Sequence, residues 1–227
     1  MILDNIKILE ERISEVCESC GRKRSEIKLI GVSKTQPVSL IQEVIDAGIK
    51  DLGENKAQEL RDKSGLLKGD FNWHFIGHLQ TNKIKYLIDA AKFIHSVDSI
   101  KLAEEINRKA AQINKKQNVL LEIKTSDEAT KFGLSNDKEI FEVAEYCKLA
   151  ENLILVGLMT MAPFTGQKDD IRKSFKSLRE LKDRMNAQGF GLTDLSMGMT
   201  SDYEIAIEEG STMLRIGTAI FGERIYH

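Results

Sequence analysis

Apolar residues along the chain follow two alternating rhythms. The first stretch carries Ile2, Ile6, Leu9, Ile13, Val16 and Cys20 at three- and four-residue steps among Glu, Lys and Arg. That spacing places one apolar stripe on one face of a helix. Gly21 follows as a stop, because glycine takes the left-handed conformation that ends many helices. A helix is therefore predicted over residues 1–21. From residue 27 onward, short runs rich in Val, Ile and Leu alternate with amphipathic stretches. Strands are predicted over 27–33, 49–54, 73–77, 92–97, 118–124, 153–160, 192–197 and 213–217. Helices are predicted over 38–47, 55–67, 80–91, 99–114, 136–150, 168–187 and 201–209.

Apolar strands separated by amphipathic helices imply parallel pairing with both sheet faces covered. The repeat averages about 28 residues, near the minimum for a β-α-β step. The predicted class is α/β, with a single (β/α)8 TIM barrel over 27–222 and an extra N-terminal helix, one domain across 1–227. An open doubly wound sheet is the alternative. Against it, no G-x-G-x-x-G follows the first strand.

Composition narrows the class without naming a function. The 227 residues include 33 Lys+Arg against 35 Asp+Glu, a net charge of −2, so nothing points to nucleic acid. An apolar share of 41% is ordinary for a folded domain and argues against disorder. No apolar run is long enough to span a membrane. The 3 cysteines do not form a disulfide framework, and the N-terminus has no signal-peptide pattern, so a cytoplasmic location is expected.

In a parallel barrel the chemistry sits at the C-terminal strand ends. Lys34 lies there, just past the run IKLIGV. Partial desolvation at a barrel mouth would favour its neutral, nucleophilic amine, a candidate for a Schiff base with a carbonyl. A surface lysine opening a loop is the plainer alternative. After the seventh strand, Ser201 stands where a helix is predicted to begin, and Ser201 and Glu204 have capping-box spacing. Strand 8 then delivers Arg215, Gly217 and Thr218. Loops after strands 7 and 8 often hold phosphate in such barrels. An N-cap and a tight turn are the bland readings of Ser201 and Gly217. Lysine and phosphate site together suggest a phosphorylated carbonyl ligand: pyridoxal 5′-phosphate, or a sugar phosphate as in an aldolase.

Six motifs make the chain recognisable: GVSKTQP (31–37), LGENKAQE (52–59), WHFIGHLQTNK (73–83), GLMTMAP (157–163), LSMGMTSDYEIAI (195–207) and RIGTAIFG (215–222). In this order, over essentially the whole length, the sequence resembles the pyridoxal phosphate homeostasis proteins, single-domain relatives of the alanine racemase barrel. The resemblance implies that Lys34 carries pyridoxal 5′-phosphate as an internal aldimine. It implies that Ser201, Gly217 and Thr218 hold the phosphate, that Arg215 faces the pyridine nitrogen, and that Asn55 lies near the cofactor. His78, Met199, Lys124 and Lys131 receive no role. No catalytic residue and no metal ligand is expected.

Arg215 shapes the expected reactivity. A guanidinium cannot accept a proton from the ring and disfavours a pyridinium beside it, so the cofactor would be a weak electron sink. Racemisation in the related barrel also draws a tyrosine from a second domain, which this chain is expected to lack. Holding, releasing or passing on pyridoxal phosphate is therefore the expected function, without robust amino-acid catalysis. A small racemase-like enzyme is the alternative. The expected partners are the cofactor and pyridoxal-phosphate-dependent apo-enzymes, with no nucleic acid and no membrane, and the expected state is a monomer. Cys17-x-x-Cys20 lacks a second pair for zinc. His74 and His78 are read as a strand residue and a loop residue, and Trp73 as packing.

Overall fold

The computed structural model describes residues 1–126 and 132–223. Lys131 lies outside them. Eight strands close into a barrel in sequence order. They are β1 (Lys28–Val32), β2 (Asp51–Glu54), β3 (Asn72–Phe75), β4 (Ala91–Val97), β5 (Gln117–Glu122), β6 (Leu153–Met159), β7 (Asp194–Ser196) and β8 (Met213–Ile216). Every neighbouring pair is parallel, and β1 meets β8 to close the ring. The helices are α1 (Ile2–Ser19), α2 (Val38–Asp46), α3 (Ala57–Ser64), α4 (Ile100–Ala111), α5 (Asp137–Leu149), α6 (Lys168–Ala187), α7 (Tyr203–Glu208) and α8 (Thr218–Phe221).

Side chains alternate along each strand, so the barrel wall sorts them into two cores. Ile30, Phe93, Leu120, Met159 and Met213 fill the lumen. The larger core lies between wall and helices and includes Leu52, Val119, Leu158 and Leu214. Helix α1 buries Ile2, Ile6, Leu9, Ile13 and Val16 as the spacing predicts, but the last place in the stripe belongs to Cys17. Cys20 is exposed, one step further round the helix. Arg12 of α1 grips both carboxylate oxygens of Glu204, at 2.7 and 3.0 Å. Asn5 donates to the Ile220 carbonyl at 3.0 Å. The N-terminal helix is thereby tied to the segments after β7 and β8.

Two expectations need correction. The helix expected over 80–91 is a 3-10 turn over Thr81–Tyr86. Ile84, Leu87 and Ile88 are buried as their spacing implies. However, Ala91 pairs with Trp73 in the sheet, so the end of that segment is claimed by β4. The second concerns α7, which starts at Tyr203 rather than at Ser201. Asp202 precedes it and accepts a hydrogen bond from the Met199 N–H at 2.6 Å, while Glu204 is engaged by Arg12. The Ser201–Glu204 capping box does not form.

One glycine shows how tightly the wall is built. Gly157 of β6 faces Asp194 of β7, and a Cβ at 157 would sit 2.0 Å from the Asp194 carbonyl oxygen. Gly157→Ala is expected to destabilise the fold by about 1–3 kcal/mol or more, because backbone must shift to admit the methyl group. A urea unfolding midpoint equal to that of the parent protein would contradict it.

Candidate functional site

The C-terminal rim of the barrel encloses a cavity of about 610 Å³. Val32, Asn55, Ile76, Glu122, Arg215 and Gly217 bring it the inward faces of five strand ends. Lys34 lies two residues beyond Val32, in phase with it, and also lines the cavity. Thr200, Ser201 and Thr218 form the β7–β8 side, and His78, Phe132, Met161 and Met199 complete the wall. All six residues singled out in the sequence (Lys34, Asn55, Ser201, Arg215, Gly217 and Thr218) therefore meet in one cavity.

The alternation that turns Lys34 and Asn55 inward turns their neighbours outward. Ser33 and Glu54 are fully buried between the wall and α3. The Ser33 hydroxyl donates to Glu54 Oε1 at 2.6 Å. Lys63 of α3 donates to Glu54 Oε1 at 2.8 Å, to the Ser33 carbonyl at 2.9 Å and to Glu59 Oε2 at 3.0 Å. Glu59 also accepts the Thr35 N–H at 2.9 Å, and Thr35 has a positive φ of 65°. A left-handed β-branched residue is strained, so this ion cluster anchors the backbone on both sides of Lys34. Burial pushes the Glu54 carboxyl above its ordinary range, against the opposing pull of Lys63 and Ser33.

Arg215 is 4% exposed and held from below. It donates to the Ser196 hydroxyl at 2.6 Å and to the Thr160 carbonyl at 2.8 Å. Ser196 Oγ lies 2.8 Å from His95 Nδ1, His95 Nε2 lies 2.9 Å from His74 Nδ1, and His74 Nε2 lies 2.8 Å from Asp51 Oδ1. Arg215 can only donate and the Asp51 carboxylate can only accept. One proton assignment then satisfies the column: Arg215 to Ser196 to His95 to His74 to Asp51. That assignment leaves both rings neutral, in line with burial, which pushes both histidines down from the usual value. The Asp51–His74 contact is thus a hydrogen bond from a neutral ring to the carboxylate rather than an ion pair. Burial also lowers Arg215, to about 10, which leaves it a cation at neutral pH.

Glu122 was not anticipated from the sequence. It is 3% exposed at the end of β5, and its Oε2 has no hydrogen-bond partner among the described residues. Burial raises its carboxyl to about 7, Asp98 adds to the rise, and Arg215 opposes it. A charged residue in phase with Leu120 of an apolar strand was the available signal. Asn55 Oδ1 is likewise buried without a partner.

At Gly217 the local backbone does not call for glycine. Its φ is −110°, and a Cβ would meet nothing nearer than the Val32 carbonyl at 3.5 Å. Gly217 opens the turn into α8, its carbonyl accepting the Ile220 N–H at 2.9 Å, but that turn does not require glycine, and Gly217 lines the cavity. Among the described residues no three His, Cys, Asp or Glu side chains gather as a metal site, and no helix is long and apolar enough to cross a membrane. Cys17 and Cys147 are buried free thiols.

Residues 5–225 match the family described as alanine racemase, N-terminal domain. A pyridoxal phosphate homeostasis protein of Aquifex aeolicus is 46% identical over 95% of both chains. One from Pseudomonas aeruginosa is 38% identical, covering 99% of this chain and 96% of that one. Among solved structures, Synechococcus elongatus PipY with PLP bound superposes with a TM-score of 0.87 at 30% identity, over 98% of this chain and 100% of that one.

Two measurements follow from this geometry. Lys63→Met is expected to cost about 3–5 kcal/mol, because Glu54 would be left buried and unpaired; an unchanged thermal midpoint would remove the cluster from this account. The Glu122 carboxyl carbon should titrate by NMR with a midpoint near 7. An elevated folded value lets the unfolded chain ionise first, so this group's contribution to stability declines as pH rises from about 4.3 toward 7. A midpoint near 4 would refute its desolvation.

Proposed function

The chain belongs to the pyridoxal phosphate homeostasis proteins, within the alanine racemase N-terminal domain family, and from that premise we propose that its cavity holds pyridoxal 5′-phosphate as a reversible store. The observation that carries this reading is one cavity gathering Lys34, Arg215 and the hydroxyl side of Ser201 and Thr218 around a glycine backbone at 217. A volume of about 610 Å³ is ample for a phosphorylated pyridine. Asn55, whose Oδ1 is buried without a partner among the described residues, adds a polar side chain to the same cavity.

When bound, the cofactor supplies a carbonyl carbon that condenses with a primary amine. Lys34 Nζ is the amine proposed to take it as a Schiff base. The ion cluster of Lys63, Glu54 and Glu59 keeps the Lys34 backbone in one place, which limits the entropy lost at capture. Ser201 and Thr218 hydroxyls are proposed to hold the phosphate, with Gly217 allowing close approach. Arg215 is proposed to face the ring nitrogen. The column beneath it directs its charge and donors without offering a proton acceptor, so a protonated ring nitrogen is disfavoured. Carbanion chemistry draws on that protonation, so storage and release fit the residues better than amino-acid turnover. We place this role in the cytoplasm, in a single-domain monomer, with cofactor-dependent apo-enzymes as recipients.

Lys34→Ala is expected to abolish the yellow, borohydride-fixable absorbance on adding pyridoxal phosphate, while weaker phosphate-dependent binding persists. An unchanged band in that variant would sink the assignment of Lys34.

A further inference from the structure

Within the same cavity, one wall has a charge that pyridoxal phosphate does not need. Lys34 and Arg215 make one side cationic, and Ser201 and Thr218 supply hydroxyls. On the same cavity Glu122 presents a buried carboxyl from the end of β5, with Oε2 unpartnered. Asp98 adds negative potential at Glu122, and Asp98 Oδ2 lies 3.4 Å from His78 Nδ1. An unpartnered buried carboxyl is costly to the fold, so retaining one at a ligand cavity favours a ligand donor. The aldehyde form of the cofactor can carry such a donor at its ring nitrogen, which is proposed to face Arg215 instead. Phosphate, phenolate and carbonyl are all acceptors, and a carboxylate repels the first two. A carboxylate is complementary to a primary ammonium, which offers three N–H donors and the opposite charge.

The geometry points to Glu122 as a subsite for a primary amine within the pyridoxal phosphate cavity. The inference rests on the storage reading and deepens it, because an amine is the class of molecule that competes with Lys34 for the carbonyl carbon. Two sources share this chemistry: the aminomethyl group of an aminated cofactor, or a separate amine such as a lysine side chain.

The test compares ligands that differ only at the amine. Affinities of the full-length protein for pyridoxamine 5′-phosphate and pyridoxine 5′-phosphate are measured by calorimetry, in wild type and in Glu122→Gln. The ratio of the two cancels phosphate and ring contacts. A tenfold or larger fall of that ratio in the variant assigns the subsite to the cofactor's own amine. For the separate amine, release of bound pyridoxal phosphate by N-α-acetyl-lysine is followed by absorbance and divided by spontaneous release. A fall confined to this second ratio assigns the subsite to an incoming amine. Neither ratio moving by more than about twofold would overturn the inference, even though pyridoxal phosphate still binds.

Should the variant fail to fold, wild type alone decides. The groups facing Glu122 are Asp98 and Arg215, with Lys34 and His78 on the same cavity. The ammonium remains charged while the carboxylate forms, so the amine-to-hydroxyl ratio is expected to rise up to about tenfold from pH 6 to pH 8. A flat ratio counts against the subsite. Wild type that binds neither pyridoxal phosphate nor its two analogues removes the storage reading, a result distinct from a ratio that does not change.

Discussion

Closing eight parallel strands into a ring brings all their C-terminal ends to one rim. Strict alternation along each strand then decides which residue of every end points into the lumen. The site depends on this. Lys34 and Asn55 enter the cavity, while Ser33 and Glu54, their immediate neighbours, are sealed against α3 by Lys63. A shift of one position would exchange the two sets, leaving a buried ion cluster in the lumen and the lysine under a helix. The cavity and its supporting cluster are two faces of one strand register.

Charge inside the lumen follows the same logic. Arg215 is buried with its positive charge at the rim, and the column of Ser196, His95 and His74 leads down to Asp51 near the opposite end. Every member has a partner, which is what makes such a buried network tolerable. Its direction is set by the two ends, so neutral histidines act as hydrogen-bond relays of orientation. Glu122 departs from that pattern, being equally buried with one oxygen left over. Glu54 Oε2 is also left over, but Glu54 lies behind the wall, whereas Glu122 lines the cavity.

Much of this was legible from residue order. The strands and helices follow from apolar periodicity, and the six candidate residues follow from their places after predicted strands and from the resemblance of their motifs. Where the reading failed, local pattern competed with pairing elsewhere. Ala91 looked like the end of a helix but is bonded to β3. Ser201 and Glu204 had the spacing of a cap, yet Arg12, 192 residues away from Glu204, takes the carboxylate. His74 was read only as a strand residue, because its partner His95 is 21 positions distant and the next link, to Ser196, spans 101.

The sequence by itself determined the alternation of elements, and with it the barrel and the rim on which Lys34, Asn55, Ser201, Arg215, Gly217 and Thr218 fall. Periodicity and strand-end position are local properties, carried by neighbours within a few residues. Tertiary structure alone decided which polar groups are satisfied. It paired Glu54 with Lys63, built the column beneath Arg215 and left Glu122 Oε2 without a partner among the described residues. Those outcomes depend on contacts between segments distant in the chain, and on burial that makes each missing contact costly.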